Sequence, residues 1–403
     1  MIYTLLTLPL RYLPYRAIHL LGKALGPLLY YLYPNYRRRT LSNLALVFDL
    51  PNKELRRLAK ASLGNLATTI LEYPRIRGEK NIHNLVTCKN PEKAADLIDQ
   101  GVIFFVGHQA NWETLFLEAA GRWPGLAIGR PIKNKKLYQW ITEIREQYGG
   151  TIVEPKNAIK ASLRALRSGI FVGIVGDQGM PDSGYAFPFF GKRAWTTPTP
   201  AILSHRTNSP IIVATCERLD GRYEITYSDP IWPDTTKPLD DEIKRLMSSA
   251  LQILEKSIAK HPEQWLWQHN RWKQETPDNV YYRFRKDPIL IIIDEEKHLK
   301  HLPTFRKIYP RVFLTVLAPK HLASKIHLED AEIIPYCNPQ ETLLPDYRFK
   351  LVFDLSHLRK IKKHYKRYSA YDVLTIDKLQ KLSKTHQPTD LSTTLTKVLC
   401  RAP

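Results

Sequence analysis

Val102–Val106 reads VIFFV, an uninterrupted run of β-branched and aromatic residues closed by Gly107. Five residues are too few for a lone helix. A run without polar alternation is buried on both faces, as a central strand of a parallel sheet is. Ile170–Val175 has the same character. Parallel strands need long crossovers, usually helical, and the intervening sequence supplies them at Leu137–Gln147 and Ala158–Arg167. Thr151–Glu154, Ile211–Thr215 and Tyr223–Tyr227 read as further strands, Pro91–Gln100 as a short helix and Asp240–Lys260 as a long one. The alternation predicts an α/β fold with a mixed core over roughly residues 75–275.

The carbonyl ends of parallel strands are where α/β folds place their sites. His108 follows Gly107 directly, and Glu113 opens an apolar helical pattern through Leu115, Phe116 and Ala119. In one continuous helix, residues five apart diverge by about 140°. The pair meets only if His108 lies in the turn and Glu113 in the first helical turn. A carboxylate held there would fix the imidazole tautomer and raise its basicity, as a general base requires. The structural alternative is that His108 caps the helix and Glu113 complements its dipole. Asp177 and Gln178 stand at the carbonyl end of Ile170–Val175, where His108 stands on the first strand.

The net charge of +21 implies an acidic partner: nucleic acid, anionic lipid or an acidic carrier protein. Cys88, Cys216, Cys337 and Cys400 form no CxxC pair, and no histidines have HExxH spacing. No metal site is expected, and the thiols read as reduced. Without a GxxxxGK[ST] or GxGxxG loop, no nucleotide cofactor is expected either.

The N-terminal 33 residues are apolar and aromatic, with Ala17–Tyr33 the best hydrophobic segment. It reads as a buried helix, as an interfacial helix with Tyr30, Tyr31 and Tyr33 at headgroup level, or as a single span at the short limit. Lys23 lies inside it, and Arg37–Arg39 follow, which places the rest of the chain on the cytoplasmic side. A retained membrane anchor over residues 1–35 is expected, spanning or lying flat. Asn52–Tyr73 reads as an amphipathic helix closed by Pro74. Pro277–Asp287 is the candidate linker to a smaller C-terminal βα unit, residues 288–403. That unit has strands at Pro288–Asp294, Val312–Leu317, Glu332–Pro335 and Leu351–Asp354, a helix near Leu299–Ile308 and the basic run Arg359–Arg367.

GHQANWE resembles the HxxxxD/E motif of acyltransferases, in the form found in the lipid A late acyltransferase family. Four further blocks agree in order: RRRTLSNLALVF (Arg37–Phe48), GRPIKNKKL (Gly129–Leu137), GDQG through HRTNSPII (Gly176–Ile212) and HPEQWLWQHNRWK (His261–Lys273). The resemblance covers roughly the first 275 residues, so 36–280 is the expected acyltransferase domain. It implies transfer of a fatty acyl group from acyl carrier protein to a hydroxyl of a lipid A precursor, at the inner membrane. Anionic lipid is the expected surface and nucleic acid is not. His108 would be the general base and Glu113 its orienter. The acceptor hydroxyl replaces a triad serine, so no covalent acyl-enzyme is expected. Arg130 would serve the oxyanion or a phosphate, with Asp177 orienting it. Gln178, Lys133, Arg271 and Lys273 would bind substrate, and Phe189 and Phe190 would wall an acyl chain. Gly129 stands where the family usually has an aromatic. The rivals are an acyl-CoA-dependent glycolipid or phospholipid acyltransferase and a non-catalytic basic membrane- or nucleic-acid-binding protein.

Overall fold

The computed structural model describes residues 8–384 and 390–401. The chain divides into two compact units, residues 1–32 with 57–266 and residues 33–56 with 267–403. This division falls before the expected linker Pro277–Asp287. Residues 33–56 join the second unit because their polar side chains are bonded there: Ser42 Oγ donates to the Arg348 carbonyl at 2.5 Å and Asn43 to the Trp267 carbonyl at 2.9 Å.

The first unit is built on a seven-stranded sheet. Its strands are β1 (Val86–Cys88), β2 (Ile103–Val106), β3 (Gly125–Ile128), β4 (Thr151–Val153), β5 (Phe171–Val175), β8 (Ile211–Arg218) and β9 (Tyr223–Tyr227), in the order β1-β9-β8-β2-β5-β3-β4. A separate antiparallel hairpin holds β6 (Ala186–Phe189) and β7 (Lys192–Trp195). β2 lies between β5 and β8 and pairs in parallel with both, and all four of its residues are buried, as the unbroken apolar run predicts. β8 and β9 pair antiparallel, which makes the sheet mixed. β3 was not legible because GLAI is short and carries no run signal.

The apolar N-terminal segment forms the helix Tyr15–Leu32, and Met1–Thr7 lie outside the described residues. Among the described residues no helix is long and apolar enough to cross a membrane. Of the two forms expected for the anchor, spanning or lying flat, the described residues do not support the span. Ile18, Gly22, Gly26 and Tyr30, spaced by four, are the buried stripe of this helix. A Cβ at Gly22 would strike Thr68 and one at Gly26 the Lys60 carbonyl, so the helix lies almost backbone to backbone on Asn52–Arg77. His19 is tied to the same helix, its Nε2 2.7 Å from Glu72 Oε1. Pro74 does not close Asn52–Arg77, which runs on to Arg77.

The second unit carries five parallel strands: β10 (Ile289–Ile292), β11 (Leu314–Pro319), β12 (Ala331–Tyr336), β13 (Leu351–Asp354) and β14 (Asp372–Thr375). Their order is β12-β11-β10-β13-β14, the doubly wound pattern whose strand order reverses beside its first strand. β10 and β13 are fully buried.

Candidate active site

His108 and Asp177 meet because of strand register. β2 and β5 pair with Val106 opposite Val175, and each chain then passes through one glycine. His108 and Asp177 therefore leave the sheet at the same level. Both glycines are required: a Cβ at Gly176 would enter the Phe105 ring, and one at Gly107 would crowd Leu254 and Asp177 Oδ2. His108 Nδ1 lies 2.6 Å from Asp177 Oδ1, and the His108 backbone N–H donates to Oδ2 at 2.7 Å. The Trp265 indole N–H donates to the same Oδ2 at 2.7 Å. A carboxylate only accepts, so Nδ1 carries a proton, and in the neutral tautomer this bond selects the lone pair is on Nε2. Gln178 Nε2 stands 3.3 Å from that nitrogen.

The turn carrying His108 is pinned on both sides. Ala110 sits in the left-handed region at φ 50°, a conformation that persists only when its surroundings fix it. Its N–H donates to the Gln264 carbonyl at 2.7 Å, and its carbonyl accepts from Thr69 Oγ1 at 2.9 Å. The Leu266 N–H donates to the His108 carbonyl at 3.0 Å. Asn111 donates to Glu72 Oε2 at 2.8 Å, and Tyr223 donates to the same oxygen at 2.6 Å. Glu72 is fully buried, which pushes its carboxyl up. Hydrogen bonds from His19 and Tyr223 and the charge of Arg218 outweigh this and hold it below the usual range.

Glu113 does open a helix, Glu113–Ala120, as expected. The role assigned to it is corrected, since the carboxylate on His108 Nδ1 comes from Asp177. Arg145 clasps Glu113 with two hydrogen bonds, Nε to Oε2 at 2.8 Å and Nη2 to Oε1 at 2.6 Å. Tyr73 and Trp112 also donate to Oε1, at 2.7 and 3.0 Å. Burial pushes the Glu113 carboxyl up, but Arg145 with these donors brings it below its ordinary value, and Glu113 in turn raises Arg145. The Trp112 ring packs edge-on against His108, centroids 4.9 Å apart. Arg145, Tyr73, Glu72 and Trp265 had no role in the sequence reading, because none falls at a spacing that predicts contact with Gly107–Glu113.

A cavity of about 540 Å³ opens at this point. His108, Glu113, Arg130, Arg145 and Gln178 line it, and Phe104, Phe116, Phe171, Ile152 and Ile174 give it an apolar wall. Phe104 and Phe171 belong to the main core of the unit, so the cavity penetrates the core. Gly129 lines it too, and a side chain there would strike Ile152, which accounts for glycine at that place.

The remaining expected residues divide. Arg130 is exposed and lines the cavity with His108; Lys133 is exposed and does not line it. Asp177 holds His108, where the reading had it orient Arg130. Phe189 and Phe190, expected to wall an acyl chain, do not line this cavity: Phe189 is fully buried against Trp265, rings 6.0 Å apart, and the Phe190 N–H is held by Glu255. Arg271 and Lys273 belong to the second unit, where Arg271 is fully buried.

A model of the family described as bacterial lipid A biosynthesis acyltransferase matches residues 1–274. The lipid A biosynthesis lauroyltransferase of Escherichia coli (strain K12) is 24% identical over 285 residues, covering 68% of this chain and 90% of that protein. The lipid A biosynthesis palmitoleoyltransferase of the same strain is 26% identical over 280 residues, covering 65% and 86%. A lipid A biosynthesis acyltransferase of Shigella flexneri gives the same figures, 26% over 280 residues.

Proposed function

The chain belongs to the bacterial lipid A biosynthesis acyltransferase family, and from that premise we propose that it moves a fatty acyl group from acyl carrier protein to a hydroxyl of a lipid A precursor. The observation that carries the reading is His108, held through Nδ1 by buried Asp177, at the polar end of a cavity whose walls are apolar. The acyl chain occupies the cavity and its thioester carbonyl lies near His108. Nε2 takes the proton of the acceptor hydroxyl as its oxygen bonds to the carbonyl carbon. The C–S bond then breaks, and the imidazolium returns the proton to the departing thiolate. Arg130, at the cavity's polar end, offers its guanidinium to the oxyanion or to a phosphate of the acceptor. The net charge of +21 suits both an acidic carrier and an anionic lipid surface. Mass spectrometry of lipid A from cells with and without this gene tests the reading. A gain of one ester-linked acyl group is expected, and unchanged lipid A would refute it.

Arg130→Lys keeps the charge and loses the planar fork. It is expected to lower transfer at least about tenfold. Wild-type turnover in that variant, measured with acyl carrier protein thioester, would return Arg130 to the solvated surface.

The helix Tyr15–Leu32 turns an apolar face outward: Leu20 is 68% exposed, Leu28 50%, Tyr31 65% and Leu32 61%. These exposures support the interfacial form of the anchor, in which one face packs on protein and the other meets lipid. The double variant Leu20→Glu/Leu28→Glu leaves the buried stripe intact. Losing two leucines from an apolar phase costs about 3 kcal/mol, so binding to anionic vesicles should fall roughly 10²-fold. Unchanged sedimentation with vesicles would place the contact elsewhere.

A further inference from the structure

In the second unit, β10 and β13 flank the point where the strand order reverses, and open parallel sheets bind ligands beyond the carboxyl ends of such strands. Asp294, Glu295 and His298 follow β10 there, with one ligand atom from each lying within 4.8 Å of the others. His298 is only 3% exposed, yet neither ring nitrogen has a hydrogen-bond partner. Asp294 Oδ1 is buried and unpartnered as well. Each buried polar group left unsatisfied costs about 1–3 kcal/mol, so Asp294 Oδ1 together with one His298 ring nitrogen, the pair a single ion can take, asks for a ligand. Protein groups already hold the remaining atoms in place. The His357 N–H donates to Asp294 Oδ2 at 2.8 Å, and the Glu295 carboxylate meets Lys297 at 2.9 Å and His357 Nε2 at 3.0 Å.

We propose that Asp294, Glu295 and His298 hold a divalent cation. One imidazole and two carboxylates suit Zn²⁺ or Mn²⁺ better than Ca²⁺ or Mg²⁺, which take oxygen ligands. Ligands around such an ion lie roughly 3–4 Å apart, so a small rotation of Glu295 away from Lys297 closes the set. Three protein ligands leave the ion open to water or a further ligand.

The test uses the full chain, stripped with chelator and titrated with Zn²⁺, Mn²⁺ and Mg²⁺ by calorimetry. Co²⁺ loading provides an independent visible spectrum. One equivalent of Zn²⁺ or Mn²⁺ is expected, with Mg²⁺ much weaker. His298→Ala and Glu295→Gln should each weaken binding about tenfold or more, and exposed His327→Ala should not. Glu295 is part-exposed, so its variant decides the matter if His298→Ala fails to fold. No stoichiometric binding of either cation, or wild-type binding by Glu295→Gln, would overturn the assignment.

Discussion

Replacing His108 by alanine is expected to cut acyl transfer by about 10²–10⁴-fold, the usual contribution of a positioned general base, while the fold survives. Asp177→Asn should cost a comparable factor for a geometric reason. Two N–H groups, from the His108 backbone and the Trp265 indole, already donate to Asp177 Oδ2. The amide of an asparagine must therefore keep its oxygen there and turn its NH₂ toward Nδ1. Nδ1 then has to accept, the ring proton moves to Nε2, and the lone pair that takes the hydroxyl proton is lost. The measurement is transfer from an acyl carrier protein thioester, with circular dichroism to certify folding. Activity within a few-fold of wild type in Asp177→Asn would remove Asp177 from the base and reopen the role for Glu113.

Arg145→Ala is expected to destabilise the first unit by about 3 kcal/mol, the lower end of what breaking a buried ion pair costs, because the Arg145 side chain stays 22% exposed. The loss comes mostly from what remains. Glu113 would keep its burial with only Tyr73 and Trp112 as donors. Transfer should fall too, since Arg145 and Glu113 both line the cavity at His108. The pair also sets a pH dependence. Glu113 has a folded pKa below its unfolded one, so its stabilisation is present at neutral pH. It fades as pH drops below the unfolded carboxylate value of about 4.3 and through the folded one. Thermal melts of wild type against Arg145→Ala should therefore differ most near neutrality and converge in acid. Equal melting temperatures at pH 7 would show that solvent screens this pair and that it holds nothing.

Some of the site was legible before any coordinates. The runs VIFFVG and IFVGIVG read as buried parallel strands, and that reading places His108 and Asp177 at equivalent carbonyl ends, as the register does. The expectation of a helix opening at Glu113 rested on period and agrees with the structure. The pairing of side chains was not legible. Spacing favoured Glu113, five residues from His108, whereas Asp177 lies 69 residues away and Arg145 lies 32 from Glu113. Such partners are chosen by strand register and by which positions lack a Cβ, and neither is encoded in local periodicity.

The N-terminal helix makes the same point through hydropathy. Its composition determined an apolar helix with basic interruptions, and that much the chain alone decided. Whether the helix meets lipid or protein depended on Gly22 and Gly26, whose lack of side chains lets Thr68 and the Lys60 carbonyl approach. Hydropathy sums the two faces of a helix into one number, while packing separates them: Ile18 and Tyr30 are covered, and Leu20 and Tyr31 are not. The packing of Phe189 was not legible for a related reason. An aromatic pair before Gly191 has the same sequence signature in a ligand wall as in a core, and only the hairpin β6–β7 turned Phe189 onto Trp265 and away from the cavity.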